Sequence, residues 1–387
     1  MKIALVYDMI YPYNIGGAEL RNYEIAKRLS QNHEVHLFGV KMWDGPNIII
    51  REGIVIHGVC RYSDKYSFSG SRTVGESIIF GLKLFWPLYK ERFDIIDVSA
   101  FAYLHCFTSS LVSKIRKTPI VFTWHQYWGS YWQEYLGSIK SFFGSKVEKM
   151  VKYLGPNHIA VSQTTKLDLI SDGVIADNIH VNYCGVDLSL VNKIDNLKKI
   201  YDIIFIGRLV HQKNVKLLIE AIKILKISWP NILVCLVGDG VEKNNLQDLV
   251  KKHSLEKNII FKGSIVKREE IFIELKKSKI FVLPSLLEGF GIVVIEAEAC
   301  GLPIVVINNK WNAAQELVES GKNGFIADNS PIDLANKVKS ILDDDNLIDL
   351  MSSESIKKSK GFDWDSIVID LEKYYLRVLA NEHQTKY

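Results

Sequence analysis

The chain has 387 residues, a hydrophobic fraction of 48% and a formal net charge of +4. A single hydrophobic core rarely serves a chain of this length, which predicts two domains of fewer than about 200 residues each. The mild charge lacks the basic field that nucleic-acid-binding proteins carry, so we expect no nucleic-acid partner.

The spacing of the cysteines and the first residues of the chain indicate the cellular compartment of the protein. The five cysteines are scattered without a C-x-x-C spacing, which is typical of buried thiols in a reducing environment. The chain enters a strand at once and reaches Asp8 before a signal-peptide core could form. No uncharged apolar run approaches the roughly 20 residues of a membrane span. We therefore expect a cytoplasmic protein.

The first half alternates short apolar runs with helical or loop-length segments, which predicts a mostly parallel sheet. The predicted strands are 3–7, 34–40, 54–59, 95–98, 120–123 and 159–162. After the first strand a long loop ends in Gly16 and Gly17, and a helix opens at about Ala18. Two glycines at a helix entrance allow close approach to a phosphate or sugar, although a simple turn is the alternative.

Aromatic residues are dense from Trp124 to Phe143. They could stack on sugar rings, cover a lipid acceptor or fill a core. His125 directly follows a predicted strand, so it stands at the carboxyl end of the sheet, where α/β proteins bind ligands. A structural role for this histidine is the alternative.

Two segments of the first half could contact a membrane. Lys140, Lys146, Lys149 and Lys152 interleave with apolar residues at near-helical spacing, and 78–89 is a second amphipathic candidate. Such helices can lie on an anionic bilayer surface, here the inner face, whereas an ordinary surface helix with one packed side is the other interpretation.

A second alternating series follows a polar stretch. We predict an N-terminal Rossmann-like acceptor-side domain at 1–188, a linker at 189–200, a C-terminal Rossmann-like donor domain at 201–361 and a helix at 362–387. The second series of strands is predicted at 202–206, 232–237, 259–262, 280–283, 304–307 and 325–327.

Charged residues and glycines follow the strands of the second half. Arg208 and Lys213 lie at the end of its first strand and in the next loop, and both charges suit a diphosphate. Gly238 ends the next strand and permits close ligand approach. Gly263 to Ile265 end the strand after that.

The segment 279–307 predicts a strand, a loop, a helix at 291–300 and a second strand. Glu288 lies in its loop and Glu296 in its helix. Eight helical residues rise about 12 Å, which is too far for a pair of hydrolytic carboxyls, roughly 5 to 10 Å apart. The spacing better suits two ends of one hydroxyl-rich ligand. An exposed helix glutamate and a helix-dipole partner are the structural alternative.

We predict a phosphate site between these two acids. The backbone N–H groups at the helix start face an anion there, and the glycine allows it to come close. These groups belong to Phe290, Gly291, Ile292 and Val293. A nucleotide-sugar has this layout of hydroxyls and phosphates.

With these residues assembled, the chain resembles glycosyltransferase family 4, the retaining nucleotide-sugar transferases of GT-B architecture. The resemblance rests on Gly16-Gly17-Ala18-Glu19, Trp124-His125, Ser162, 182–187, Gly207-Arg208, Lys213-Asn214, Glu288-Gly289-Phe290-Gly291, Glu296-Ala297 and Gly301-x-Pro303. It implies an α/β fold of two Rossmann-like domains facing across a cleft, with the C-terminal helix crossing back to the N-terminal domain.

The resemblance also implies a role for each site residue. Glu296 would bind the ribose and Glu288 the donor sugar, while Arg208 and Lys213 would hold the diphosphate together with the backbone at 290–293 and at Gly16 and Gly17. The base would lie near 263–265, and His125 beside the reacting centre. No metal is implied, because the two cations and the helix N-terminus would neutralise the departing diphosphate. No cofactor is implied either, because the UDP- or GDP-linked sugar is a substrate.

The implied reaction is same-face substitution on an oxocarbenium-like centre, with the leaving phosphate oxygen helping to deprotonate a glycan or lipid-linked acceptor. Relatives often carry a histidine pair where 97–100 reads Asp-Val-Ser-Ala and His105 follows later, so a contact from that loop is in doubt. A GT-B epimerase or phosphorylase and a non-catalytic nucleotide-sugar-binding subunit remain alternatives.

Overall fold

The structure is a computed structural model that describes residues 1–61, 74–136 and 138–384. The chain divides into two compact units. The first comprises Met1–Cys184 and Trp364–Tyr387, and the second comprises Gly185–Asp363. Each unit is an α/β layer structure built on its own sheet.

The first unit contains an eight-stranded sheet in the order β3-β4-β2-β1-β5-β6-β7-β8. All pairings are parallel except the edge pair β3 and β4. The six predicted strands are confirmed, and β3 and β8 are additional. The strands are β1 (Lys2–Val6), β2 (Glu34–Gly39), β3 (Ile48–Arg51), β4 (Ile54–Gly58), β5 (Ile95–Ser99), β6 (Ile120–Trp124), β7 (Asn157–Ala160) and β8 (Ile179–Val181).

Helices cover this sheet, and its last helix comes from the end of the chain. The helices are α1 (Gly17–Leu29), α2 (Val74–Lys90), α3 (Leu104–Arg116), α4 (Tyr131–Leu136), α5 (Ser138–Val151), α6 (Gln163–Ser171) and α14 (Trp364–Gln384). Helix α14 packs beside α1, and the Tyr375 hydroxyl donates a hydrogen bond to the buried carboxyl of Asp97 at 2.5 Å.

The aromatic segment after β6 forms core around one buried carboxyl. Glu148 of α5 is fully buried and accepts hydrogen bonds from the Tyr103 hydroxyl at 2.7 Å and from Trp132 Nε1 at 3.0 Å. The backbone N–H groups of Trp128 and Gly129 donate to the same carboxyl. Burial raises the pKa of Glu148. Core filling is therefore the correct interpretation of the described side chains at 124, 127, 128, 131 and 132, all buried.

The second unit contains a six-stranded parallel sheet in the order β11-β10-β9-β12-β13-β14. All six predicted strands of the second half are confirmed. They are β9 (Tyr201–Ile206), β10 (Val234–Val237), β11 (Ile259–Gly263), β12 (Ser278–Leu283), β13 (Ile304–Ile307) and β14 (Gly324–Ala327).

The helices of the second unit flank this sheet. They are α7 (Leu188–Asn192), α8 (Val215–Ser228), α9 (Lys243–Lys252), α10 (Arg268–Lys276), α11 (Ile292–Ala299), α12 (Pro331–Leu342) and α13 (Asp345–Ser359). The segment 189–200, predicted as a linker, lies within this unit, and its residues up to Asn192 belong to α7. Among all described helices, none is both long enough and apolar enough to cross a bilayer.

Candidate active site

The site in the second unit forms where two neighbouring strands end. Strands β9 and β12 are adjacent and parallel, with Ile203 opposite Ile280, so the loops that follow them leave the same edge of the sheet. The Leu286 N–H donates to the Gln212 carbonyl at 2.8 Å and joins the two loops. The edge is the usual ligand position in an open α/β sheet.

Lys213 and Glu288 meet at this edge. The Lys213 ammonium donates to Glu288 Oε1 in an ion pair whose side chains are 17% and 11% exposed. From the sequence, Lys213 is predicted to bind a phosphate and Glu288 a sugar. The structure adds that the two side chains neutralise each other in the absence of a ligand.

The backbone of Glu288 is fixed by the loop that follows β13. Its N–H donates to the Trp311 carbonyl at 3.0 Å, and its carbonyl accepts from the Ala313 N–H at 2.9 Å. Glu288 also forms an isolated β-bridge with Asn312, whose side-chain amide donates to the Ile307 carbonyl. The carboxylate therefore projects from a segment held on both sides.

Gly291 begins the helix that follows. It has a φ of 95°, a left-handed conformation that glycine adopts without strain, and a Cβ there would lie 2.9 Å from Ala314 Cβ. The first N–H groups of α11 lack partners within the helix and carry its positive dipole end. Phe290, Ile292 and Val293 supply the neighbouring backbone, so the segment can hold a phosphate.

Glu296 is occupied by a residue that the sequence analysis missed. It is 2% exposed, and its Oε1 forms a close ion pair with Nη2 of the Arg268 guanidinium. Arg268 opens α10 just after β11, in the same kind of strand-to-helix loop that identified Lys213. This position after a strand is the sequence signal that could have identified Arg268 as a site residue. Arg268 thus follows the loop 263–265 in the chain and contacts the predicted ribose ligand Glu296.

The glycines after β10 have a structural reason. A Cβ on Gly238 would lie 1.9 Å from the Gly207 carbonyl oxygen, and one on Gly240 would lie 2.3 Å from that of Leu209. Both glycines therefore accommodate the backbone beside Arg208, whatever ligand binds. Gly263, in contrast, has a φ of 74° and open space around its Cβ position. Arg208 is exposed and Ile265 is partly exposed.

The remaining predicted residues lie in the first unit. Gly16 is the N-cap of α1 in an extended conformation, and Gly17 is its first residue. His125 directly follows β6, where its Nε2 lies 2.9 Å from the Ser99 hydroxyl and its ring lies 5.8 Å from that of Tyr7. Both features are at the carboxyl edge of the first sheet. That Gly16, Gly17 and His125 contact the donor stays a prediction.

Acidic and sulfur ligands do not gather into a metal site in the part of the chain that is described. Within it, no group of three or more His, Cys, Asp or Glu side chains is arranged to hold a metal ion. The groups near the predicted site that can bind an anion are instead three cationic side chains, Arg208, Lys213 and Arg268, and the backbone N–H groups at the start of α11.

Two family descriptions match successive parts of the chain. Residues 15–190 match Glycosyltransferase Family 4, and residues 190–358 match Glycosyl transferases group 1. The boundary between the matches falls beside the boundary between the two structural units.

Known proteins agree with these matches. An uncharacterised glycosyltransferase of Methanocaldococcus jannaschii is 27% identical over 97% of this chain and 98% of its own. The Escherichia coli UDP-Gal:alpha-D-GlcNAc-diphosphoundecaprenol alpha-1,3-galactosyltransferase is 30% identical over 51% of this chain and 54% of its own.

A solved structure supports the fold. Anabaena HepE, in complex with UDP and glucose, is 22% identical, and the match has a TM-score of 0.75 over 97% of this chain and 99% of the other. The chain therefore belongs to the group 1 glycosyltransferases, or glycosyltransferase family 4, with the GT-B architecture, and it is an enzyme of the glycosyl-transferring class.

Proposed function

We propose that the protein transfers a sugar from a UDP- or GDP-linked donor to a hydroxyl of a glycan, lipid-linked glycan or glycolipid, with retention of anomeric configuration and without a bound metal ion or cofactor. The observation that carries this proposal is the Lys213–Glu288 ion pair at the carboxyl edge of β9 and β12. The pair supports the proposal because an ammonium that suits a phosphate and a carboxylate that suits sugar hydroxyls lie in one contact.

The reaction needs the departing diphosphate to be neutralised. We assign this task to Arg208, Lys213 and the N-terminus of α11, which together supply two full charges and a helix dipole. When the diphosphate takes Lys213, Glu288 is released to accept hydrogen bonds from the donor sugar. Lys213 thus exchanges the Glu288 carboxylate for the diphosphate in the same step in which the donor binds.

Stabilisation of the separating charges does most of the catalytic work in this scheme. The anomeric carbon gains oxocarbenium character as its bond to the phosphate oxygen breaks. The acceptor oxygen attacks from the same face, and its proton passes to the leaving phosphate oxygen. No side chain forms a covalent bond with the sugar, and we assign His125 to the donor sugar beside the reacting centre.

The test is a donor and acceptor screen on the full chain. Donor sugars on UDP and GDP are incubated with glycan and lipid-linked acceptors in the presence of EDTA, and nucleoside diphosphate release and product anomeric configuration are measured. The proposal expects acceptor-dependent release and a retained configuration. Release without an acceptor product, or epimerised sugar alone, indicates an epimerase or hydrolase. Nucleotide binding without turnover indicates a non-catalytic binding subunit.

A membrane-borne acceptor would place the first unit against the inner face of a bilayer, and its helices carry suitable side chains. Leu82 and Trp86 of α2 are 73% and 57% exposed, and Phe142 and Met150 of α5 are each 55% exposed. Helix α3 adds Ile115 at 51%.

The exposed charged side chains described on these three helices are all positive. Their exposed lysines are Lys83, Lys90, Lys114, Lys146 and Lys149, whereas the acidic side chains described there, Glu76 and Glu148, are both buried. Apolar side chains flanked by lysines favour an anionic lipid surface. Lys149 and Lys152 also contact Asp172, which limits their part, and the side chain of Lys140 lies outside the described ones.

Vesicle sedimentation tests this surface. The protein should sediment with phosphatidylglycerol vesicles more than with phosphatidylcholine vesicles, and Leu82→Ser with Trp86→Ser should abolish the difference. Ile227→Ser, which alters an 83% exposed isoleucine of the second unit, is the matched control. Equal sedimentation of the wild type and the double variant would remove the membrane assignment and leave the transferase assignment intact.

A further inference from the structure

Ser99 joins three side chains at the carboxyl end of β5. Its hydroxyl accepts a hydrogen bond from Asn22 Nδ2 at 3.0 Å and lies 2.9 Å from His125 Nε2. Its backbone carbonyl accepts from His105 Nε2 at 2.7 Å. Ser99 is 2% exposed, so these contacts are made away from solvent.

The direction of the bond to His125 follows from the donor count at the Ser99 hydroxyl. A serine hydroxyl has one proton to donate and two lone pairs. Asn22 Nδ2 can only donate, so the buried hydroxyl receives that bond and must place its own proton elsewhere. His125 Nε2 is the acceptor within reach, and a buried donor left without an acceptor costs free energy.

We propose that Ser99, oriented by Asn22, is a positioning residue that holds His125 in the neutral tautomer with its proton on Nδ1. The chain of bonds runs from the Asn22 amide to the Ser99 hydroxyl and on to His125 Nε2. In histidines at functional sites, the bond made by one ring nitrogen sets which nitrogen carries the proton. His125 is thereby presented as an Nδ1–H donor.

The tautomer of His125 is inferred from contacts within the first unit alone. Its effect on catalysis rests on the proposed function. An Nδ1–H donor suits an oxygen acceptor, such as a donor-sugar hydroxyl oxygen or a phosphate oxygen. A carbonyl at the Ser99 hydroxyl position would impose the opposite tautomer, because a carbonyl can only accept. His105 illustrates that case, since its Nε2 faces the Ser99 carbonyl and must donate.

The direct test is the nitrogen spectrum of the histidines in the full chain. Protein labelled with ¹⁵N-histidine is measured by long-range ¹H–¹⁵N correlation, and the His125 signals are identified by their loss in His125→Gln. The wild type should show a protonated Nδ1 and an unprotonated Nε2. A protonated Nε2 at His125 in the wild type overturns the proposal, whatever the enzyme's activity.

Variants separate this role from general packing. Ser99→Ala should move the His125 signals toward the Nε2-protonated form, while Ser99→Thr, which keeps the hydroxyl, should restore the wild-type pattern. The matched control is Ser109→Ala, because Ser109 is fully buried and its hydroxyl has no hydrogen-bond partner among the described residues. Unchanged His125 signals in Ser99→Ala would contradict the inference.

Kinetics then relate the tautomer to turnover. By analogy with outer partners of metal-bound histidines, we expect Ser99→Ala to lower kcat on the order of 10- to 100-fold, with a smaller change in donor KM and recovery in Ser99→Thr. Wild-type kcat in Ser99→Ala would remove the positioning role. Absence of transfer in the wild type would instead count against the proposed function, and the nitrogen spectrum would still decide the tautomer.

Discussion

Arg268 and Glu296 form a buried ion pair in the second unit, between the start of α10 and the middle of α11. Glu296 is the predicted ribose ligand, and Arg268 is the group that makes its burial tolerable. A carboxylate that is 2% exposed requires a partner, because a buried charge without one is strongly unfavourable. The pair therefore links the stability of the unit to its donor site.

Removing one partner should be worse than removing both. We expect Arg268→Met to lower the free energy of unfolding by about 3 kcal/mol, since it leaves the Glu296 carboxylate buried without its cation. Arg268→Met with Glu296→Leu should recover most of that stability but still lose nucleotide affinity. Denaturant unfolding and calorimetry measure the two effects. A double variant no more stable than the single one would show that the pair itself does not carry the effect.

Glu288→Gln should separate nucleotide binding from turnover. The amide cannot neutralise Lys213, so the ammonium is available to the diphosphate before any exchange of partners. We expect affinity for UDP or GDP to rise several-fold, equivalent to about 1 kcal/mol, while transfer falls by at least about tenfold. Titration calorimetry and initial rates give the two quantities. A loss of nucleotide affinity would mean that Glu288 contacts the nucleotide itself.

Glu298 gives the second unit a dependence on pH. Its carboxyl is fully buried, accepts a hydrogen bond from Asn323 Nδ2 at 2.7 Å, and burial raises its pKa to about 8. Because the folded pKa lies above the unfolded one, the protonated carboxyl stabilises the fold at low pH. That stability is lost as pH rises through about 8, with a slope of at most about 1.4 kcal/mol per pH unit.

Glu298→Gln should remove this dependence. The glutamine keeps an oxygen for Asn323 and carries no charge, so its stability relative to the wild type should rise between pH 5.5 and pH 8.5, the interval over which the wild type loses stability. Unfolding midpoints at the two pH values, compared between the two proteins, provide the measurement. An equal offset at both values would show that Glu298 does not titrate in this interval.

Tyr375 should anchor the last helix. Its hydroxyl and that of Thr123 both donate to the buried Asp97 carboxyl, at 2.5 and 2.6 Å. We expect Tyr375→Phe to cost about 1.5 to 3 kcal/mol of unfolding free energy. Tyr374→Phe is the control on the same helix, since its hydroxyl makes only a 3.4 Å bond to the His158 carbonyl. Equal effects of the two changes would contradict a specific role for Asp97.

The sequence predicted the strands better than the partners of the site residues. Alternating apolar runs identify parallel strands, and strand ends identify Lys213 and Glu288 as neighbours in one edge. The position of Arg268 after β11 could have marked it as a candidate, but its pairing with Glu296 depends on how α10 and α11 pack, which no local pattern encodes. The Gly207 carbonyl beside Gly238 is a structural reason for a glycine there that the sequence alone cannot show.

The sequence left three interpretations of the aromatic segment open for a similar reason. Dense tryptophan and tyrosine after β6 fit a sugar platform, a lipid cover or a core equally well. The deciding feature is Glu148, which lies on a later helix and accepts three hydrogen bonds from this segment and a fourth from Tyr103. Only the folded chain brings that carboxyl among the aromatic rings.

The most direct test of the proposed site is titration of the full chain with UDP and with GDP in EDTA. We expect one of them to bind the wild type without divalent metal, Lys213→Ala to weaken binding by at least about tenfold, and Lys216→Ala, an exposed lysine on α8, to bind like the wild type. Nucleotide binding that requires magnesium, or that is unchanged in Lys213→Ala, would contradict the assignment of the diphosphate to this site.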